Sequence, residues 1–165
     1  MVDIVRLFIF PSLMAFAASS DFFTMTISNR LGLALVAGFV ALALFSGMNL
    51  HDMLMHAGAA VTVLAISFVM FSRGWIGGGD AKFAAATALW LGFDHLLTYL
   101  LYASIFGGML TMAIIFLRFV PLSTGLAELD WVKRLYRADG GVPYGIALAA
   151  AALLVYPDTA WMHLG

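Results

Sequence analysis

Two aspartates occupy positions in a strongly apolar chain where a charge has no obvious structural use. Asp21 lies in the last turn of the first apolar run, and Asp80 follows three glycines, Gly77, Gly78 and Gly79, at the start of the fourth. Two carboxyl groups that share a site cannot both ionise cheaply, so such a pair holds one proton. One member can then take a proton from water while the other donates one to a substrate carbonyl. The pair therefore suits general acid–base hydrolysis.

The composition explains why each of the few charged residues is informative. Of 165 residues, 64% are hydrophobic and 10% are charged, against roughly 25% charged in an ordinary soluble domain. Too few polar side chains are present to cover a soluble globule, and disorder would need low hydrophobicity. The net charge of −1 argues against nucleic acid as a partner, and the absence of Cys excludes disulfides and thiolate metal sites. We therefore interpret the chain as an integral membrane protein surrounded by lipid.

Six apolar runs approach the length of about 17–25 residues that a helix needs to cross a bilayer. They lack the alternating polarity of a β-barrel, so we expect an all-α bundle of six transmembrane helices in one domain, residues 1–165. Residues 7–18 also fit a cleaved signal peptide, an alternative that the acidic Asp3 disfavours. The predicted spans are Ile4–Phe23, Leu31–Gly47, His56–Ser72, a run that begins within Trp75–Ala81 and ends near Phe93, Leu96–Leu117, and Tyr144–His163.

The basic residues predict the orientation of this bundle. Seven of the eight fall in odd-numbered connections, which share one side of a six-span protein. The positive-inside rule makes that side cytoplasmic and places both termini outside. The four histidines then fall near the outer face on separate connections, so we expect no metal site. The seven basic residues are Arg30, Arg73, Lys82, Arg118, Lys133, Arg134 and Arg137, and the histidines are His51, His56, His95 and His163.

The connection Val120–Pro143 is the longest and predicts an amphipathic helix on the inner membrane surface, between spans five and six. Apolar residues recur there at three- and four-residue steps, with basic residues between them. Such a helix either anchors the loop or receives a membrane-bound partner, and the pattern favours anchoring. The recurring apolar residues are Leu126, Leu129, Val132, Leu135 and Tyr136.

The predicted spans bring the two aspartates to one face. The run from Ala81 to Phe93 measures only about 20 Å as a helix, so the crossing must begin near Trp75 and include Asp80. Two complete spans separate Asp21 from Asp80, which returns the chain to the same side. Because consecutive glycines are poor helix formers, we expect broken backbone before Asp80, where an extended peptide can approach the carboxylate. Ionisable residues inside a membrane generally mark function.

Structural and functional alternatives stay open at this point. Asp80 fits the N-cap of a helix beginning at Ala81, and Asp21 fits a helix end whose carboxylate reaches the headgroups. Lys82 is interpreted as an anchor of the fourth helix, with orientation of Asp80 as a second role, and Asn29 as a cap or turn residue. Two rival functions remain. The protein could be a small ion-coupled transporter with Asp80 as its ion site, or a non-catalytic component of a secretion machine.

The segment 77–82, which reads GGGDAK, resembles the GxGD motif and following Lys of the type IV prepilin peptidases, a family of membrane aspartyl proteases. That family's second aspartate precedes an Ile-Pro-Asn stretch, and Asp21 precedes 27–29, in which Ser28 replaces the usual Pro. The tripeptide 143–145, PYG, at the start of the predicted sixth span resembles the sequence found there in one branch of the family. That branch is small, has peptidase activity only and serves tight-adherence (Flp) pili.

The resemblance implies an aspartic endopeptidase of the bacterial inner membrane, with Asp21 and Asp80 as its catalytic pair. It implies a prepilin or pseudopilin substrate that has a short basic leader, a Gly before the scissile bond and then an apolar helix. Larger members bind zinc through paired CxxC motifs and methylate the product, so this Cys-free chain is expected to have no methyltransferase activity, metal or cofactor. The oligomeric state stays open. The residues expected around the substrate are Gly77, Gly78, Gly79, Lys82 and Asn29.

Overall fold

The computed structural model describes residues 2–121, 125, 128–137 and 140–163, the side chains of 2–6 and 163 excepted. Within this part of the chain the structure is all-helical and contains no strand, which confirms the predicted all-α class. The helices are α1 (Val2–Thr24), α2 (Asn29–Phe45), α3 (Leu50–Ser72), α4 (Gly78–Arg118), α5 (Asp130–Tyr136), α6 (Tyr144–Val155) and α7 (Ala160–His163), with a 3₁₀ turn at Tyr156–Asp158.

Three of the described helices are long and apolar enough to cross a membrane. They are α1 over Leu7–Thr24, α3 and α4, whereas α2 and the run Tyr144–Asp158 are apolar but shorter. Large apolar side chains cover the outside of the bundle as well as its interior, and Leu97 on α4 is 80% exposed. Helices that are apolar all round suit lipid or a protein interior, not water.

Short polar side chains set where α2 and α3 begin. Ser28 is the N-cap of α2, and its hydroxyl accepts the backbone N–H of Arg30 at 3.2 Å. Asn49 caps α3 in the same manner and accepts the N–H of Asp52 at 2.8 Å. Capping oxygens satisfy N–H groups that have no partner inside the helix. Asn29, predicted as a cap or turn residue, is instead the first residue of α2.

Of the three glycines before Asp80, only Gly77 has the non-helical backbone that was predicted, whereas Gly78 and Gly79 are helical. Gly77 is the N-cap of α4, and Gly78, Gly79 and Asp80 form its first turn, so Asp80 is not an N-cap either. Glycine is tolerated at an N-cap, and tertiary packing overrides its weak helix propensity in the turn that follows. Gly79, for example, lies against Ile27, where an added Cβ would be 3.5 Å from the Ile27 Cβ.

Helix α4 is divided at Gly92, whose φ of 66° and ψ of −178° lie outside the helical region. Only glycine adopts this conformation without strain. Asp80 and Ala103 line the same cavity, so the chain reverses at Gly92 and two antiparallel arms, 78–91 and 93–118, lie side by side. The sequence predicted a connection between two spans, one ending near Phe93 and the next beginning at Leu96. In the structure the connection is a single non-helical residue, Gly92.

Two side chains satisfy the carbonyls that the break leaves without helical partners. The Leu89 carbonyl lies 2.8 Å from Nδ1 of His56, and the Trp90 carbonyl accepts the indole N–H of Trp161 at 2.7 Å. The last carbonyls of any helix have no intrahelical donor, and burial without a partner is costly. The break at Gly92 is therefore held by side chains from α3 and α7.

An aromatic cluster around Trp90 forms the core near this break. The indole N–H of Trp90 donates to the Leu35 carbonyl of α2 at 2.9 Å. Ring pairs at such separations stabilise a core beyond the area that they bury. The cluster joins α1, α2, the first arm of α4 and α7. The rings nearest Trp90 are Phe10 at 5.1 Å, Trp161 at 5.6 Å, Phe39 at 6.1 Å and Tyr156 at 6.4 Å between centroids.

The predicted sixth helix, Tyr144–His163, is not continuous. Helix α6 ends at Val155, a 3₁₀ turn containing Pro157 follows, and Thr159 is extended before α7 begins. Proline lacks the N–H that a continuing helix needs and clashes with the preceding turn. Because of this break, α7 turns back and places Trp161 against the core.

Candidate active site

Asp21 is buried in the last turn of α1, with 3% of its surface exposed. Its Oδ2 accepts the backbone N–H of Gly145 at 2.7 Å. Gly145 is the second residue of α6, where the backbone N–H has no partner inside the helix. A carboxylate is also favoured electrostatically at a helix N-terminus. The start of α6 therefore holds the Asp21 carboxylate.

Gly145 is also a steric requirement of this contact. A Cβ added there would lie 2.8 Å from Oδ2 of Asp21 and 2.7 Å from Cδ1 of Ile27. Both distances are shorter than nonbonded contacts allow, so any larger residue would push the carboxylate or Ile27 away.

Asp80 is half-buried at the third position of α4, and its carboxylate lies beside Gly77, the N-cap residue of that helix. An acidic side chain that reaches back to the N-cap residue is the arrangement of a capping box. A Cβ on Gly77 would lie 2.9 Å from Oδ2 of Asp80. Glycine at this position therefore gives the carboxylate room.

The structure brings Asp21 and Asp80 to one end of the bundle, close enough for their carboxyl groups to interact electrostatically. Ile27 lies between the two aspartates' neighbouring glycines. It contacts Gly79, which precedes Asp80, and Gly145, which binds Asp21. The ends of α1 and α4 and the start of α6 thus meet around the pair.

Lys82 and Asn29 also meet at this end, although they lie 53 positions apart in sequence. The Lys82 Nζ donates to Oδ1 of Asn29 at 3.0 Å, and both side chains are exposed. The bond joins the first turn of α2 to the first turns of α4, half a turn beyond Asp80. It connects two residues that the sequence placed around the substrate.

A cavity of about 210 Å³ adjoins Asp80 between α3, the two arms of α4 and α6. Tyr144 forms part of its wall. The Tyr144 ring packs where Gly107 has no side chain, and its hydroxyl lies 3.3 Å from Oγ1 of Thr111. Asp80 is thus open on one side to a largely apolar space.

The sequence did not place Tyr144 and Gly145 among the site residues, although it noted their tripeptide. A glycine at the start of an Ala- and Leu-rich helix, directly after Pro143 and Tyr144, is the signal that could have identified the contact. Glycine in such a run weakens the helix. When glycine is nevertheless present, the usual reason is that another group approaches the backbone closely.

Helix α5 corresponds to the predicted surface helix and is shorter than the pattern indicated, since it covers seven residues. Its Trp131 packs on Phe22, with centroids 5.2 Å apart, and Arg134 donates to the Phe23 carbonyl. Val132 is its buried residue, whereas Leu126 of the predicted pattern lies outside the described residues. Helix α5 is therefore attached to α1 immediately after Asp21.

Arg118, the last residue of α4, holds the end of α5 and the segment that follows it. Its guanidinium donates to the carbonyls of Leu135 at 2.8 Å, Gly140 at 3.0 Å and Gly141 at 3.3 Å. The planar fork of arginine suits several simultaneous acceptors. We call the described residues 128–137 and 140–143 the strap, since they run from α4 across the end of α1 to Tyr144.

The opposite, Gly92 end of the bundle carries a more polar pocket of about 530 Å³, lined in part by His51, Asp52, His56 and Asp94. Across the residues that the structure describes, no three His, Asp or Glu side chains are grouped to hold a metal ion. Asp139 of the long inner loop lies outside those residues. The two aspartates are therefore the chemically distinctive groups of the described fold.

Residues 8–112 match the model of the type IV leader peptidase family. The matched region covers more than half of the chain and contains Asp21, Asn29, the GGGD segment and Lys82, but not α5, α6 or α7. No curated protein and no solved structure matches the chain. Membership implies a peptidase for prepilin-type substrates, and the three long apolar helices agree with a membrane protein. The chain belongs to the type IV leader peptidase family, as its GGGDAK segment predicted.

Proposed function

We propose that this protein is an aspartic endopeptidase that removes the basic leader from Flp-like type IV prepilins or pseudopilins by cutting after Gly. Family membership supports leader-peptidase activity. The observation that carries the aspartic mechanism is the placement of Asp21 and Asp80 at one end of the bundle, with Ile27 between the glycines that lie against them. The remainder of the chain supplies no Cys that could act instead.

In the proposed reaction, one carboxylate takes a proton from water as the oxygen of that water adds to the scissile carbonyl carbon. The other, protonated carboxyl group donates its proton to the carbonyl oxygen, which gives a neutral tetrahedral intermediate. The C–N bond then breaks, the leaving amine takes the proton held by the first carboxyl group, and the hydroxyl returns its proton to the second. The N–H group of Gly145 keeps the Asp21 carboxylate oriented through these steps.

For the membrane arrangement we propose six crossings in a single domain of residues 1–165. Helices α1, α2 and α3, the two arms of α4, and α6 with its 3₁₀ turn are the six apolar segments. The seven basic residues of the odd-numbered connections support an orientation with the aspartates toward the cytoplasm and both termini outside. This is where the leader of an inserted prepilin would emerge in the bacterial inner membrane.

The glycines and the polar pair around Asp80 are proposed to shape the substrate path. Gly77, Gly78 and Gly79 leave room for an extended peptide beside the carboxylate. The bond from Lys82 to Asn29 holds the start of α4 against α2 and so limits movement of Asp80. Because the chain has no Cys for the zinc motifs of the bifunctional relatives, we expect cleavage without methylation of the new N-terminus.

The test is co-expression with a pilin-like protein from the same genome that has a basic leader, a Gly and an apolar helix. Wild-type protein should release a product whose N-terminus, by mass spectrometry, is unmethylated and follows the Gly. Asp21→Asn and Asp80→Asn should each lower the rate by about 10²-fold or more, since general acid–base groups contribute about 10²–10⁴.

Asp94→Asn is the matched control, because Asp94 is exposed at the Gly92 end. It should process the pilin at the wild-type rate. Normal processing by Asp21→Asn or Asp80→Asn would rule out the catalytic pair. Equal processing in cells with and without the wild-type protein would instead favour a transporter or a non-catalytic component. The amount of folded protein, measured by size-exclusion chromatography in detergent, must be equal for all variants.

A further inference from the structure

We propose that the apolar groove between α2, α3 and the first arm of α4 binds one anionic phospholipid, with its phosphate at Lys82 and one acyl chain along the groove. The inference goes beyond the proposed function, because cleavage of a peptide bond does not require a bound lipid. It rests on the proposed membrane arrangement, which puts the Lys82 end of the bundle at the cytoplasmic surface.

The groove has a volume of about 420 Å³ and is lined by small residues on all three helices. These include Gly32 on α2, Ala60 on α3 and Ala86 on α4. A Cβ added to Gly32 would meet nothing within 4 Å. Two larger lining residues, Leu33 and Val61, are 68% and 64% exposed, so the groove is open to the outside of the bundle and accessible to lipid.

The groove is polar at one end and apolar along the rest of its length. Its polar side chains are Ser28, Asn29 and Lys82, all at the end where α2 and α4 begin. Along α4 the lining runs from Gly79 to Leu89, about 15 Å at 1.5 Å per residue. A hydrocarbon core is about 30 Å thick, so one leaflet measures about 15 Å. The groove therefore matches the depth of one acyl chain below a headgroup.

The charge at the polar end is complementary to a phosphate. An ammonium group has three N–H donors, and the exposed Lys82 uses one of them on Asn29 at 3.0 Å. The described lining of the groove contains no carboxyl group, since Asp80 lines the separate cavity between α3, α4 and α6. Basic pockets between helices at the cytoplasmic surface are typical sites for anionic headgroups.

The apolar helix of a prepilin fits the same groove less well. A helix about 10 Å wide occupies roughly 1,200 Å³ over 15 Å of its length, about three times the volume of the groove. The basic leader that precedes this helix would also bring positive charge toward Lys82, and like charges repel. Size and charge therefore both favour a phospholipid over the substrate.

The experiment titrates the full-length protein in detergent with phosphatidylglycerol or phosphatidylcholine that carry the same acyl chains. Native mass spectrometry counts the bound lipids. Wild-type protein should bind one phosphatidylglycerol about fivefold more tightly than phosphatidylcholine, the scale of one contact between Lys and an anionic lipid. Lys82→Gln should bind both lipids equally. Glycerol 3-phosphate should not compete, because it has no acyl chain.

Gly32→Leu places a side chain in the groove and should weaken phosphatidylglycerol binding by at least about tenfold, since each displaced methylene costs about fourfold in affinity. Gly108→Leu is the matched control, because a Cβ there also meets nothing within 4 Å and Gly108 does not line the groove. It should bind lipid as wild type does. Ala60→Leu fills the groove from α3 and should reproduce the loss seen with Gly32→Leu.

Equal binding by Gly32→Leu and Gly108→Leu, competition by glycerol 3-phosphate, or a headgroup preference that survives Lys82→Gln would overturn the lipid site. Retained lipid in Gly32→Leu with a raised KM for the prepilin would also overturn it and assign the groove to the substrate helix. Cleavage that survives Asp80→Asn would overturn the proposed function without changing lipid binding, so the two failures are distinguishable.

Discussion

The backbone N–H of Gly145 donates to the Asp21 carboxylate at 2.7 Å, across 124 positions of sequence. This bond joins the end of α1 to the start of α6, which lies outside the region that matches the family model. Part of the candidate active site is thus built by a helix that has no carboxyl side chain of its own. The contribution of Gly145 is a backbone donor and the absence of a Cβ.

Gly145→Ala should lower leader processing by about 10²-fold, the scale of losses from misplacing a catalytic group by about 1 Å. The added Cβ would lie 2.8 Å from the Asp21 carboxylate and must displace it. The measurement is the single-turnover rate on the co-expressed prepilin. Gly108→Ala is the control, because a Cβ there meets nothing within 4 Å. Equal rates for the two variants would mean that the contact does not position Asp21.

Arg118→Ala should lower kcat with little change in KM, since the guanidinium acts through the strap that leads to Gly145 and not on the substrate. The substitution removes the bonds to the Leu135, Gly140 and Gly141 carbonyls. Arg118→Lys should restore only part of the rate, because an ammonium lacks the planar fork. Limited proteolysis should show faster cleavage within the strap of both variants.

Lys133→Ala serves as the control for charge on the strap. Its exposed pair with Asp130 is 3.9 Å long, and surface pairs of this kind contribute about 0–1 kcal/mol. Its processing rate should stay at the wild-type value. If Lys133→Ala and Arg118→Ala had the same effect, the general loss of positive charge would explain both.

Gly92→Ala should destabilise the protein by about 1–3 kcal/mol, the cost of a non-glycine residue in a sparsely populated backbone region. The new Cβ would also lie 3.0 Å from the His56 ring, which caps the Leu89 carbonyl. Thermal unfolding in detergent measures this effect. A variant as stable as wild type would contradict the reversal of α4 at Gly92.

Lys82→Ala and Asn29→Ala should each slow processing by a similar, modest factor, and the double variant should be no slower than either single one. The reason is that both remove the same 3.0 Å bond between α2 and α4. A double-mutant cycle on the processing rate measures the coupling. Fully additive losses would show that the two side chains act separately. Arg30→Ala, which removes a charge beside Asn29 on α2, is the control for a lost charge.

Much of the site followed from residue type and crossing parity. An even number of spans between Asp21 and Asp80 predicts one common end whatever the orientation, and the structure places both residues at one end. Broken backbone at Gly78 and Gly79 was predicted from propensity alone and is wrong, because contacts such as that of Gly79 with Ile27 stabilise a helical first turn. Propensity is a weak prior wherever tertiary packing competes with it.

The sequence by itself determined the all-helical class, the apolar exterior, the two aspartates and the family, since these depend on composition, periodicity and short motifs. Only the tertiary structure decided that Gly145 binds Asp21, that Arg118 holds the strap, and that a cavity opens beside Asp80. Each of these depends on contacts between segments distant in sequence. Backbone donors and missing Cβ atoms leave no chemical signature in the sequence, so their partners are defined only when the helices pack.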